Sequence, residues 1–227
     1  MASLALPPMA TTETARPRSE TKRLVRRFTL TFIGMVGVAG ALTIMFFAMR
    51  SVMEIGGSCA SGNTPYEIAR PCPDGVAGLM VGSIFLGLVF LGVYAVSAVG
   101  PNLTLLAWPA LFLSLGWNFL EYGVNPPDGS SGVVWGWLLC GVIFMLMGGL
   151  PLLFGIAAVV AGRETRLTRQ PRRLANRYGR EDASALEDPT IWRWGLAVQL
   201  LAIGVGIWLG IELFEWGTGT TVTINFG

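Results

Sequence analysis

Five ionisable side chains at the ends of long apolar runs could act as one group: Arg50, Glu54, Glu121, Glu212 and Glu215. Carboxylates at the ends of apolar segments are the groups a proton or cation site would use. Glu212 and Glu215 stand three apart, on one face of a helix. The same residues fit two plainer roles. They could be solvated helix ends whose side chains reach water, or Arg50 could pair with one glutamate and close the end of a helix bundle. The run Trp117-Asn118-Phe119-Leu120-Glu121-Tyr122 is the most polar-aromatic end of any apolar segment, and the first place to mutate.

Cys59 and Cys72 form a second candidate pair, in a segment stiffened by Pro65, Pro71 and Pro73. A structural disulfide across a loop of this size is worth ~3 kcal/mol in the chain-entropy picture. Redox catalysis would call for a Cys-x-x-Cys pair, and the third cysteine, Cys140, stands alone in an apolar run. Histidine is absent from all 227 residues, which removes the commonest metal ligand and general base. No phosphate-binding glycine loop, dinucleotide fingerprint or nucleophile-elbow motif occurs. No catalytic, cofactor-binding or metal-ligating residue is therefore assigned, and no cofactor is expected.

The elements that would hold these residues follow from charge and hydropathy. Hydrophobic residues make up 52% of the chain and charged residues 13%, about half the share usual for a water-soluble domain. Fourteen of the sixteen Lys and Arg residues fall in Arg16–Arg27 and Arg163–Arg193. Apolar runs of ~20 residues, long enough to cross a bilayer, separate and follow these clusters. Five spans are predicted: Phe28–Met49, Val76–Val99, Leu103–Glu121, Val133–Ala161 and Trp194–Phe214. Lys/Arg-rich segments stay on the cytoplasmic side, and an odd number of crossings puts both basic clusters there. The expected fold is thus all-α, a polytopic helical membrane bundle with five transmembrane helices, N-terminus inside and C-terminus outside.

Around the spans, residues 1–27 read as a disordered basic cytoplasmic tail. Residues 28–161 hold helices 1 to 4 and an external loop, 55–75, clipped by Cys59–Cys72. Residues 162–193 form an Arg-rich cytoplasmic loop, 194–216 the fifth helix and 217–227 an external tail. Gly100-Pro101-Asn102 marks a tight turn, so spans two and three form a hairpin. Gly148-Gly149 and Pro151 are expected to bend span four, because proline removes a helical hydrogen bond. At 1.5 Å per residue, Arg50 stands ~33 Å above Phe28 and Glu212 ~27 Å above Trp194, at the outer interface.

In the cytoplasmic loop, Arg163, Arg166, Arg169, Arg173, Arg177 and Arg180 recur every three or four residues, interrupted at Pro171. Such a face would lie on anionic inner-leaflet lipid, and beside a membrane it is not read as binding nucleic acid. Three pairs, Gly78/Gly82, Gly132/Gly136 and Gly206/Gly210, have the spacing that lets membrane helices approach closely, within the chain or between copies. Trp108, Trp135, Trp137, Trp192, Trp194 and Trp216 lie near span ends, as interfacial belts do. Fifteen arginines against one lysine, with abundant Ala and Gly, suggest a GC-rich bacterial genome and hence a plasma membrane.

Two functional classes follow. One is a non-enzymatic accessory or scaffolding subunit of a larger membrane complex. The other is a small homo-oligomeric transporter or channel working through Glu121, Glu212 and Glu215. A lipid-active enzyme using those glutamates ranks third.

Overall fold

The computed structural model describes residues 18–56, 72–127, 132–161 and 189–222. These form α1 (Arg18–Glu54), α2 (Val76–Ser97), a 3-10 turn at Leu103–Leu106, α3 (Ala107–Val124), α4 (Trp135–Val160) and α5 (Pro189–Thr218). Among the described residues the chain is all-helical, without strands, and five helices are long and apolar enough to cross a membrane.

α1 differs most from its expected limits. It begins at Arg18, inside the segment expected to be disordered to residue 27. Once a long apolar helix has nucleated, adding Arg, Lys and Leu residues at its end costs little. α5 likewise runs from Pro189 to Thr218, beyond Trp194–Phe214 at both ends. Residues 1–17, the loop 57–71 with Cys59, the arginine row Arg163 to Arg180, and residues 223–227 lie outside the described residues.

α1 is the hub. It packs along α2 and α5 and also touches α3, whereas α4 joins the assembly through α3. Accordingly, 44% of the most apolar window of α1 is buried, against 11% in α2 and α4. Against α2, Gly34 faces Tyr94, Gly37 faces Phe90 and Ala41 faces Gly87, so these two helices run antiparallel. Against α5, Gly40 meets Gly206, Thr43 meets Gly210, and Phe47 lies 5.6 Å from Phe214 between ring centroids. α1 and α5 are therefore parallel. A Cβ on Gly206 would stand 2.5 Å from the Val36 carbonyl oxygen and 2.7 Å from Ala39 Cβ. Two backbones this close leave no room for a side chain, which makes Gly206/Gly210 an intramolecular crossing. Around Gly78, Gly82, Gly132 and Gly136 a Cβ would meet open space.

α3 and α4 are joined by glycines seven apart on both helices. Gly116 and Gly123 of α3 admit Met145 and Leu138, while Gly141 and Gly148 of α4 admit Leu120 and Leu113. Seven residues are two helical turns, so each pair lies along one face. α4 continues through Pro151. Pro151 cannot donate to the carbonyl of Met147, its i−4 partner. The Trp108 indole of α3 donates to that oxygen instead, at 3.3 Å. Trp108 thus repairs a helix defect besides lying near a helix end.

Two expectations follow. Gly206→Leu should lower the thermal midpoint of the purified protein by several degrees, whereas Gly82→Leu should leave it unchanged. Trp108→Phe should cost ~1 kcal/mol by orphaning the Met147 carbonyl. That cost should largely vanish beside Pro151→Ala, which restores the missing N–H, as reversible unfolding of the four-variant cycle would show.

Candidate functional site

The C-terminal ends of α1 and α3 come together in a polar ladder. Arg50 and Glu54 are one turn apart on α1, and Asn118, Glu121 and Tyr122 span one turn of α3. Arg50 donates from Nη1 and Nη2 to the two carboxylate oxygens of Glu121, each at 2.8 Å. Its Nε lies 3.6 Å from Glu54 Oε1. The Tyr122 hydroxyl donates to the same Glu54 oxygen at 2.9 Å, and the guanidinium carbon stands 5.3 Å from the Tyr122 ring centroid. A planar guanidinium on a carboxylate through two parallel bonds is the strongest and most directional pairing ordinary side chains make. The Arg50 and Glu121 side chains are 30% and 33% exposed, so the pair is partly screened.

One turn deeper, Asn118 is fully buried. Its amide reaches the Phe46 carbonyl at 3.5 Å, while Oδ1 has no partner. Of the residues grouped from the sequence, the structure brings together Arg50, Glu54 and Glu121. It does not bring Glu212 or Glu215 to them. Glu215 accepts the backbone N–H of Val222 at 2.6 Å, fastening the chain just beyond α5. Glu212 is exposed on α5.

A second polar cluster lies toward the opposite end of the bundle. Gln199 of α5 is fully buried and donates to the Val99 and Pro101 carbonyls at 2.7 and 2.9 Å. Tyr94 Oη of α2 lies 2.9 Å from Gln199 Oε1 and 3.1 Å from Pro101 O, its single proton facing two acceptors. Thr31 of α1 donates to the Ser97 carbonyl at 3.0 Å. These bonds tie the turn after α2 to α1 and α5. Gly100 permits it with φ +89°, and a Cβ there would meet the Gly195 backbone at 2.9 Å. Sequence reasoning missed this cluster. The available signal was Gln199 itself, a glutamine within an apolar run, where a polar side chain needs an interhelical partner.

Cys59, the expected disulfide partner of Cys72, lies outside the described residues. Cys140 is a free cysteine, exposed on α4.

Comparison with protein-family models, curated sequences and solved structures gives no match for this chain. Both clusters lock helices together: one carries a compensated charge pair, the other chiefly satisfies backbone carbonyls of a turn.

Arg50→Gln and Glu121→Gln should each destabilise the fold by ~1–2 kcal/mol, discounted for partial exposure. The double variant should lose less than the sum of the two, and the exchange Arg50→Glu with Glu121→Arg should recover part of the loss. Gln199→Leu strands the Val99 carbonyl, while Pro101 keeps its bonds from Tyr94 and the Leu103 N–H, and should cost ~1–3 kcal/mol. Reversible unfolding in detergent measures all of these.

Proposed function

We propose that this chain is a non-enzymatic, multi-pass protein of a bacterial plasma membrane, an accessory or scaffolding subunit of a larger complex. In this reading its N-terminus is inside, its C-terminus outside, and Cys59–Cys72 clips the external loop. The arginine row from Arg163 to Arg180 rests on anionic lipid of the inner leaflet. The apolar faces turned outward, with Phe85 and Val89 on α2 and Leu139 and Phe154 on α4 exposed, suit a hydrocarbon surround.

One observation carries the functional part: what the polar groups between the helices are engaged in. Arg50 and Glu121 hold each other, Gln199 and Tyr94 hold a turn, Thr31 holds the end of α2, and Trp108 holds a proline-freed carbonyl. Among the described residues these side chains bind the chain to itself. Surfaces are then what it offers to others. The transport reading needs Glu121, Glu212 and Glu215 to act as one group. Glu121 is already held by Arg50 and Glu215 by a backbone amide, so we place that reading second.

Cross-linking in intact cells followed by purification in mild detergent should return a membrane-protein partner at stoichiometric amounts. A chain that runs strictly alone, and by itself supports flux or turnover, would refute the proposal. For orientation, an impermeant thiol reagent on intact cells should modify a cysteine placed at Asn225 and spare one at Arg173. The reverse pattern would invert the topology.

A further inference from the structure

α5 carries an exposed row at four-residue spacing: Gly204, Trp208, Glu212 and Trp216. Trp208 is 58% exposed and Trp216 86%, and a Cβ on Gly204 would meet open space. The other crossing face of α5, Gly206 and Gly210, is filled by α1. The row therefore points away from the bundle.

The depth of Glu212 distinguishes it from the other acidic groups. Thr43 lies opposite Gly210 and Phe47 opposite Phe214, so Glu212 stands level with Met45. That is five residues, or ~7.5 Å of helix rise, below Arg50. Arg50, Glu54 and Glu121 meet at the end of the bundle, whereas Glu212 sits on an apolar flank between two exposed tryptophans. Among the described residues no cation or hydrogen-bond donor reaches it, and Arg50 is already engaged by Glu121. A carboxylate held below the polar end of an apolar bundle is costly unless a cation meets it.

We propose that this face of α5 docks a transmembrane helix of another protein that carries an Arg or Lys near its outer end, paired with Glu212. The proposal rests on the accessory-subunit reading and assigns that reading a surface. Charge complementarity selects the occupant. A second copy docked by two-fold symmetry would set like carboxylates against each other. A helix can present its cation at the required depth, its backbone lying over Gly204 and its side chains between Trp208 and Trp216.

The full chain, reconstituted in phosphatidylcholine vesicles, would be titrated with labelled Leu/Ala host helices bearing Arg, Gln or Glu at one outer position. Energy transfer from a donor on the chain reads association. The Arg helix should bind roughly fivefold to tenfold tighter than the Gln helix. Glu212→Gln should abolish that preference, and Glu212→Lys should transfer it to the Glu helix. Equal binding of the Arg and Gln helices, or a preference that survives Glu212→Gln, overturns the proposal. Self-association of the chain that Glu212→Gln abolishes would make a second copy the occupant and overturn it too. In vesicles that also contain phosphatidylethanolamine, Glu212-dependent enrichment of that lipid around the chain without any helix preference would do the same in favour of lipid. If the helix preference is missing while a cellular partner still co-purifies, the α5 surface is wrong and the accessory reading stands. A chain that purifies alone removes the accessory reading, whatever the helices show.

Discussion

Close approach of backbones is the constraint on which this structure depends. α1 can serve as a hub only because Gly34 and Gly37 admit α2 side chains and Gly40 and Thr43 receive Gly206 and Gly210 of α5. In a hydrocarbon surround, burying apolar surface against a neighbour gains little over burying it in lipid. Contact distance and interhelical hydrogen bonds then decide which helices pair. The same rule builds the α3–α4 hairpin from four glycines at seven-residue spacing. Two closely packed units result, α1 with α2 and α5, and α3 with α4. The polar ladder at the ends of α1 and α3 is one join between them, and the turn tied down by Gln199 is the other.

The two joins differ in chemistry because they differ in surroundings. At the Arg50 end both charged groups keep partial access to solvent, so a bidentate ion pair is tolerated without the full cost of burying charge. At the Gln199 end Tyr94, Thr31 and Gln199 are buried. Neutral donors there satisfy carbonyls left free where α2 stops and the chain turns at Gly100. A buried backbone oxygen without a partner is expensive; Gln199 supplies a donor to Val99 and joins Tyr94 and the Leu103 N–H at Pro101. Trp108 does the same inside α4, where Pro151 leaves the Met147 carbonyl without its helical donor. The unpaired Oδ1 of Asn118 is the exception among these groups, and it is buried where α1 meets α3.

Hydropathy alone located the helices. The start of α2 at Val76 coincides with its expected boundary, and the turn after it follows from Gly100-Pro101. Apolar run length and proline punctuation are local properties, so a sequence states them directly. The misreadings arose from neighbours, one beside the segment in the chain and the others across the bundle. The basic segment from Arg18 to Arg27 reads as disordered by composition, yet continues α1 because a long helix lies beside it in the chain. Three glycine pairs looked alike by spacing, and only Gly206/Gly210 meets a neighbour. Spacing puts two glycines on one face without saying which way that face turns. The seven-residue glycines of α3 and α4 were overlooked for a related reason. Their pattern means something only when a second helix carries the matching one.

The sequence by itself determined how many long apolar helices form, where they begin and end to within about five residues except at the start of α1, and which few side chains are ionisable. Those outcomes depend on residue type and run length. Only the tertiary structure decided that Glu121, rather than Glu212 or Glu215, takes Arg50, and that Gln199 and Tyr94 share one cluster. Each pairing depends on the rotation and offset of helices far apart in the chain, and packing at the glycines sets both.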